Sequence, residues 1–334
     1  MGSGRVRADE QAAGIGAGAR APGGDALSAP IARALSFLEA RQKPSGEFPN
    51  ESWTIFAPEP EADTSVFPAT LIAHCLSAVP EAADAMRRRT LDFLEAEMEP
   101  TGLWRHWTRD NEKHVIPCPD LDDTSCASAA LRDGGRRAPD NIRRILRNRW
   151  FGGLFRSWVI TREKILGPKW TWWFFTVTPS RPFDVDAVVN ANVLFYLGRR
   201  RETEPVVAWL VDILARGAED GCDKWYIRHF VIWYFFSRAL RSSEPAAGPL
   251  LLARLASAEA KTPLERALAM SIGMDWGEVP DDEEVRALLA AQQPDGSWPR
   301  EDVYRGANRR WGSAELVTAF AVEALARVRA LAPA

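Results

Sequence analysis

The sequence predicts an all-α chain wound into an (α/α)6 barrel, and three observations predict it. Apolar and amphipathic stretches of helical length alternate six times along the chain. A helix end, a Pro-x-Gly turn and an aromatic residue recur three times, in "FLEARQKPSGEFP" (37–49), "FLEAEMEPTGLWR" (93–105) and "LLAAQQPDGSWP" (288–299). Asp63, Asp123 and Asp186 stand 60 and 63 residues apart near the starts of apolar stretches, the period of a helix–turn–helix unit with a long loop.

Each element follows from its residues. The amphipathic helices fall near 28–43, 85–98, 139–150, 204–217, 247–259 and 281–292 and belong on the outside. The apolar set is hydrophobic nearly all round and belongs inside, with starts near Asp63, Asp122, Asp186, Trp225, Leu264 and Gly312. In the recurring turns, Pro44, Pro100 and Pro294 cannot continue a helix, and Gly46, Gly102 and Gly296 allow positive φ. Phe48, Trp104 and Trp298 follow two residues later as plugs. Residues 27–332 are expected to form the barrel. Residues 1–26, rich in Gly and Ala, read as a disordered leader.

Composition narrows the class. The 334 residues carry a net charge of −3, which gives no nucleic-acid signature. No run of eighteen apolar residues occurs, so no membrane-spanning helix is expected. Cys75, Cys118, Cys126 and Cys222 form no CxxC pair and read as reduced thiols of a cytoplasmic protein. Fourteen tryptophans suggest an aromatic core or pocket.

Gln292, Gly296 and Trp298 after a helix resemble the QW repeat of squalene–hopene cyclases and related terpene cyclases. "DLDDT", with Asp120, Asp122, Asp123 and Thr124, is similar to the DxDDT signature of class II cyclases, which start cyclisation by protonation. The resemblance covers about residues 28 to 332. It implies a terpenoid cyclase toroid and an isoprenoid substrate, and it gives Asp122 the role of proton donor, with Asp120 and Asp123 beside it. Class II cyclases usually set their pocket between two barrels, and this chain holds one. A prenyl diphosphate shorter than squalene therefore fits better, with Mg²⁺ as a companion of the diphosphate and no zinc.

The chemistry is consistent with that implication. An alkene is a very poor base, so its donor must be protonated and strongly acidic. Neighbouring carboxylates let one member of a cluster keep a proton. Aromatic faces must stabilise the cation that follows, and water must be kept out. Trp170, Trp173, Trp225, Trp233 and Trp311 are the candidate lining, with Trp172, Phe174 and Phe175 beside them. The plainer reading of the aspartates is a solvated helix cap.

Other constellations were weighed in the same way. Asp186 and Asn190 lie one helical turn apart; they suit a water, a base or Mg²⁺, or else a buried network between inner helices. Residues 132–169 hold eleven Arg and Lys against three Asp and Glu. Such a run suits a diphosphate, an anionic membrane surface or a solvated outer face. Lys169 and Arg310, with Arg309, are the diphosphate candidates. Asp220-Gly221-Cys222 resembles half of the zinc site of protein prenyltransferase β subunits, but the later inner helix "WGSAELVTAFAVEAL" offers no histidine. His114 precedes the aspartates and could bond to one of them. A zinc prenyltransferase-like protein and a non-catalytic barrel binding an isoprenoid or a protein are the alternatives. A peripheral membrane contact and a homo-oligomer are compatible with all three.

Overall fold

Six buried helices close a ring. In the computed structural model, residues 24–160, 169–306 and 308–331 are described, with the backbone alone at 24–25 and 169–171. The ring consists of α2 (Phe67–Cys75), α4 (Leu121–Asp133), α7 (Ala187–Leu197), α9 (His229–Leu240), α11 (Pro263–Asp275) and α13 (Ala314–Leu331). Each packs on the next in this order, and α13 returns to α2. The outer members are α1 (Gly24–Arg41), α3 (Pro80–Glu97), α5 (Ile142–Arg147), α8 (Glu204–Arg216), α10 (Gly248–Ala256) and α12 (Asp282–Ala290). The expected alternation of inner and outer helices is thus present. α1 starts at Gly24, inside the stretch expected as a leader, and residues 1–23 lie outside the described residues.

The three recurring turns have one geometry and fasten outer helices to each other. Gly46 and Gly296 adopt φ of +93° and +92°, and a Cβ there would meet the carbonyl oxygens of Arg89 and Arg33 at 2.0 and 2.4 Å. No other residue allows this approach. Gln42 donates to Met86 O and Thr90 Oγ1 on α3, and Gln292 to Pro30 O on α1. In the middle copy Asn141 donates to Gly102 O instead. The plugs Phe48, Trp104 and Trp298 are fully buried. Both indole N–H groups return to the preceding outer helix, at Leu94 O and Leu288 O. Both tryptophan backbone N–H groups bond to a threonine of the following inner helix, Thr124 or Thr318.

Three expected inner starts are corrected. α2 begins at Phe67, not Asp63, because Asp63 is drawn aside to accept the indole N–H groups of Trp107 and Trp311. α9 begins at His229, not Trp225, because the carboxylate of Asp223 holds the backbone N–H groups of Trp225 and Tyr226 in a loop. α13 begins at Ala314, not Gly312, because Gly312 ends a strand and lies against Glu301 O. That strand, β4 (Arg309–Gly312), belongs to a small antiparallel sheet not foreseen in the sequence. Its order is β2 (Glu61–Ala62), β1 (Glu51–Thr54), β4, β3 (Tyr304–Arg305), with Glu51 opposite Gly312. A further helix, α6 (Lys169–Val177), is also additional. No helix among the described residues is long and apolar enough to cross a membrane.

Candidate active site

The aspartate triplet opens α4 at one end of the ring, and each member has a different task. Asp120 is the N-cap and accepts the Asp123 N–H at 2.8 Å. Asp123 is buried, with His106 Nδ1 3.5 Å from its Oδ2 and no partner for Oδ1. Asp122 is the partly exposed member, and it faces a cavity. Its Oδ1 accepts the Asn192 amide at 2.5 Å and its Oδ2 the Tyr226 hydroxyl at 2.6 Å. The solvated-cap reading fits Asp120 only in part, since that side chain is buried.

Burial and mutual repulsion hold protons on this cluster. Burial, then the nearby Asp123 charge, pushes Asp120 well above the usual carboxylate range. Burial pushes Asp123 up to about 7. Burial also raises Asp122, while the Tyr226 and Asn192 donors pull the other way. Burial lowers His106, against the neighbouring carboxylates. Asp122 thus has two donors placed to stabilise its carboxylate, in a setting that burial makes unfavourable for the charge.

The cavity holds about 1020 Å³ of space free of atoms, mouth included, of which about 240 Å³ admits the centre of a water molecule. Its walls are aromatic. Phe67, Trp107, Trp158 and Phe174 line it with Trp225, Tyr226, Tyr304 and Trp311. Tyr304 and Trp311 stack at 5.6 Å, and Trp158 meets Phe174 edge-on at 5.2 Å. Asp63 fixes two of these walls by accepting both indole N–H groups, at 2.7 Å from Trp311 and 3.1 Å from Trp107. Burial alone would raise Asp63, but the Trp311 bond, His106 and Lys113 outweigh it and keep the carboxylate ionised.

Of the expected binding residues, Trp225 and Trp311 line the cavity. Trp233 does not; it is buried and donates to Glu219. Trp172 and Trp173 lie on α6, are 44% and 50% exposed, and are not on the wall. The side chains of Lys169 and Trp170 lie outside the described residues. Asp186 and Asn190 form a buried network between segments. Asn190 bonds both ways with the Phe155 backbone and donates to Asp186 O, and Asp186 accepts from Ser157. Arg310 pairs with Asp302 away from the cavity, whereas its neighbour Arg309 lines the wall and bonds to Ser52 and Glu61. The basic run, as far as Trp150, has most of its arginines on the outer surface and none on the cavity wall.

His114 bonds to Trp107 O and to no aspartate; His106 is the histidine beside the triplet. Asp220 is 95% exposed and bonds to His229. Burial pushes the Cys222 thiol up to about 12. No group of three His, Cys, Asp or Glu side chains that could hold a metal ion gathers among the described residues. All four cysteines are free thiols. Sequence reasoning missed His106, Trp158, Tyr226 and Tyr304. Tyr226 had a signal, since it adjoins Trp225; the others are placed by long-range contacts.

This architecture is the toroid of the type II terpene cyclases. Two structures of the cyclase MstE from Scytonema match with TM-scores of 0.68 and 0.69 at 14% identity, over 92% of this chain and 98–99% of theirs. One holds the substrate geranylgeranyl dihydroxybenzoate and the other the product merosterolic acid A. A protein from Actinoplanes matches at 19% identity with a TM-score of 0.66, over 91% of this chain and 99% of that one. Over 158 residues the chain is 30% identical to drimenol cyclase drtB of Aspergillus calidoustus, which is 42% of this chain and 29% of that protein. The chain thus matches under a third of that relative's length. No protein-family model matches the sequence.

Proposed function

We propose that the protein is a class II-type terpene cyclase in which Asp122 protonates an isoprenoid double bond. One observation carries this reading. Asp122 receives hydrogen bonds from the Asn192 amide and the Tyr226 hydroxyl and lies on the wall of the aromatic cavity, so a proton on it is presented to what fills that cavity. Asn192 N–H occupies Oδ1, and an amide nitrogen accepts nothing. The proton therefore sits on Oδ2. Its O–H bond breaks as a C–H bond forms on the alkene, and the electron pair left on Asp122 is held by Tyr226 and Asn192. The cation then attacks the chain's own double bonds beside Trp225, Tyr304 and Trp311, whose faces stabilise it. Loss of a proton ends the sequence, and solvent restores Asp122.

The substrate proposed first is a prenyl diphosphate, with Mg²⁺ entering only as its companion. The pairing of Arg309 with Glu61 favours a second reading, an isoprenoid with an uncharged or aromatic head, because a diphosphate would have to displace that carboxylate. The test is incubation with farnesyl, geranylgeranyl and geranylfarnesyl diphosphates and with geranylgeranyl dihydroxybenzoate, with and without Mg²⁺. A cyclised isomer of the substrate is expected, and Asp122→Asn should lower turnover by about 10²–10⁴ with affinity nearly unchanged. No product from any substrate would favour the non-catalytic barrel. An active Asp122→Asn protein would reject Asp122 as the acid.

A further inference from the structure

Behind Asp122 lies a charge that the proposed chemistry has not used. Arg238, on α9, is 3% exposed. Its Nη2 donates to Asn192 Oδ1 at 2.5 Å and lies 3.4 Å from Cys126 Sγ. Its plane rests 4.4 Å from the Phe195 ring centre and 5.0 Å from that of Phe235. Its Nε is buried without a partner, and no carboxylate lies within ion-pair distance among the described residues. A buried guanidinium without a counter-ion is costly. Neither Arg238 nor Asn192 is on the cavity wall.

We infer that Arg238 is a positioning residue that locks the amide of Asn192, so that Asn192 can only donate to Asp122 and the acid's proton is directed into the cavity. The inference rests on Asp122 being the acid. An asparagine amide is nearly symmetric in shape and can present either its oxygen or its nitrogen to a neighbour. Facing a protonated carboxyl, the oxygen would be the better partner. It would take the Asp122 proton into a short hydrogen bond and withhold it from the alkene. A guanidinium prevents this. It has five donors, no acceptor and a permanent charge, so a flipped amide would set N–H against N–H between two buried side chains. The same charge stands one residue behind the carboxylate that forms when the proton leaves.

Three variants and one control test this by initial rates on whichever isoprenoid the wild type cyclises. Arg238→Gln can accept as well as donate, which frees the Asn192 amide to turn. Its kcat should fall about 10- to 100-fold with KM within about twofold. Arg238→Lys keeps a donor-only charge and should restore most of the rate. Asn192→Asp keeps the packing and pairs with Arg238 but has no N–H to give. It should lose kcat like Arg238→Gln, and it carries the test if Arg238→Gln fails to fold. Folded Arg238→Gln or Asn192→Asp protein with full kcat would overturn the inference, as would a loss confined to KM or a Lys variant no better than Gln. Asp122→Asn, assayed alongside, separates the two levels. If it is dead while Arg238→Gln runs at full speed, only the positioning role fails; if it is active, the acid assignment fails first.

Discussion

Asp122 differs from its two neighbours in what touches it, and that difference sets the expected effects of mutation. Tyr226→Phe removes one of its two donors without altering the ring stack. Hydrogen bonds to charged groups are worth about 1.5–3 kcal/mol, so turnover should fall about 10- to 100-fold in steady-state assays, less than for Asp122→Asn. Asp123 gives a prediction of stability against pH. Its folded-state value of about 7 lies above the ordinary carboxylate value of about 4. Between those values the folded protein binds the extra proton, so this group's stabilisation falls as pH rises through the window and levels off above it. Thermal melts from pH 4 to 7 should show a smaller decline for Asp123→Asn than for the wild type; an identical decline would deny Asp123 the proton. At this scale the triplet was legible because its members are adjacent in sequence. Its partners were not, since Asn192 and Tyr226 lie 70 and 104 residues from Asp122 and the chain's closure alone brings them there. For the Asp186–Asn190 pair the sequence left a ligand site and a buried network open, and the structure has the network, because Phe155 and Ser157 bond to the pair.

The elements were more legible than the site because helices are written locally. Apolar periodicity found six inner and six outer helices, and the Pro-x-Gly-x-aromatic spacing found three turns, two of whose glycines, Gly46 and Gly296, lie against a neighbouring backbone. The sheet was invisible because its strands are two to four residues long and its central pair, β1 with β4, joins distant parts of the chain, as Glu51 with Gly312. Helix starts slipped where an acidic side chain is used elsewhere, as at Asp63 and Asp223. The turns give a prediction belonging to this scale. Trp298 is fully buried, its indole caps Leu288 O, and its backbone binds Thr318. Trp298→Ala should cost about 3–5 kcal/mol, read by denaturant unfolding, with the rate constant of the remaining folded protein intact. A fully stable variant with abolished activity would contradict the fastening role.

At the scale of the whole molecule, ring closure brings the Asp122 carboxyl to an aromatic cavity, and in the function we propose its proton starts the reaction. The most direct measurement is turnover in D2O with mass spectrometry of the product after exchangeable deuterons have been washed out. If Asp122 supplies the proton, the cyclised product carries one non-exchangeable deuterium at the carbon first attacked, and a diphosphate substrate keeps its diphosphate. An unlabelled product accompanied by release of inorganic diphosphate would mean that the substrate ionises instead, and it would contradict the account.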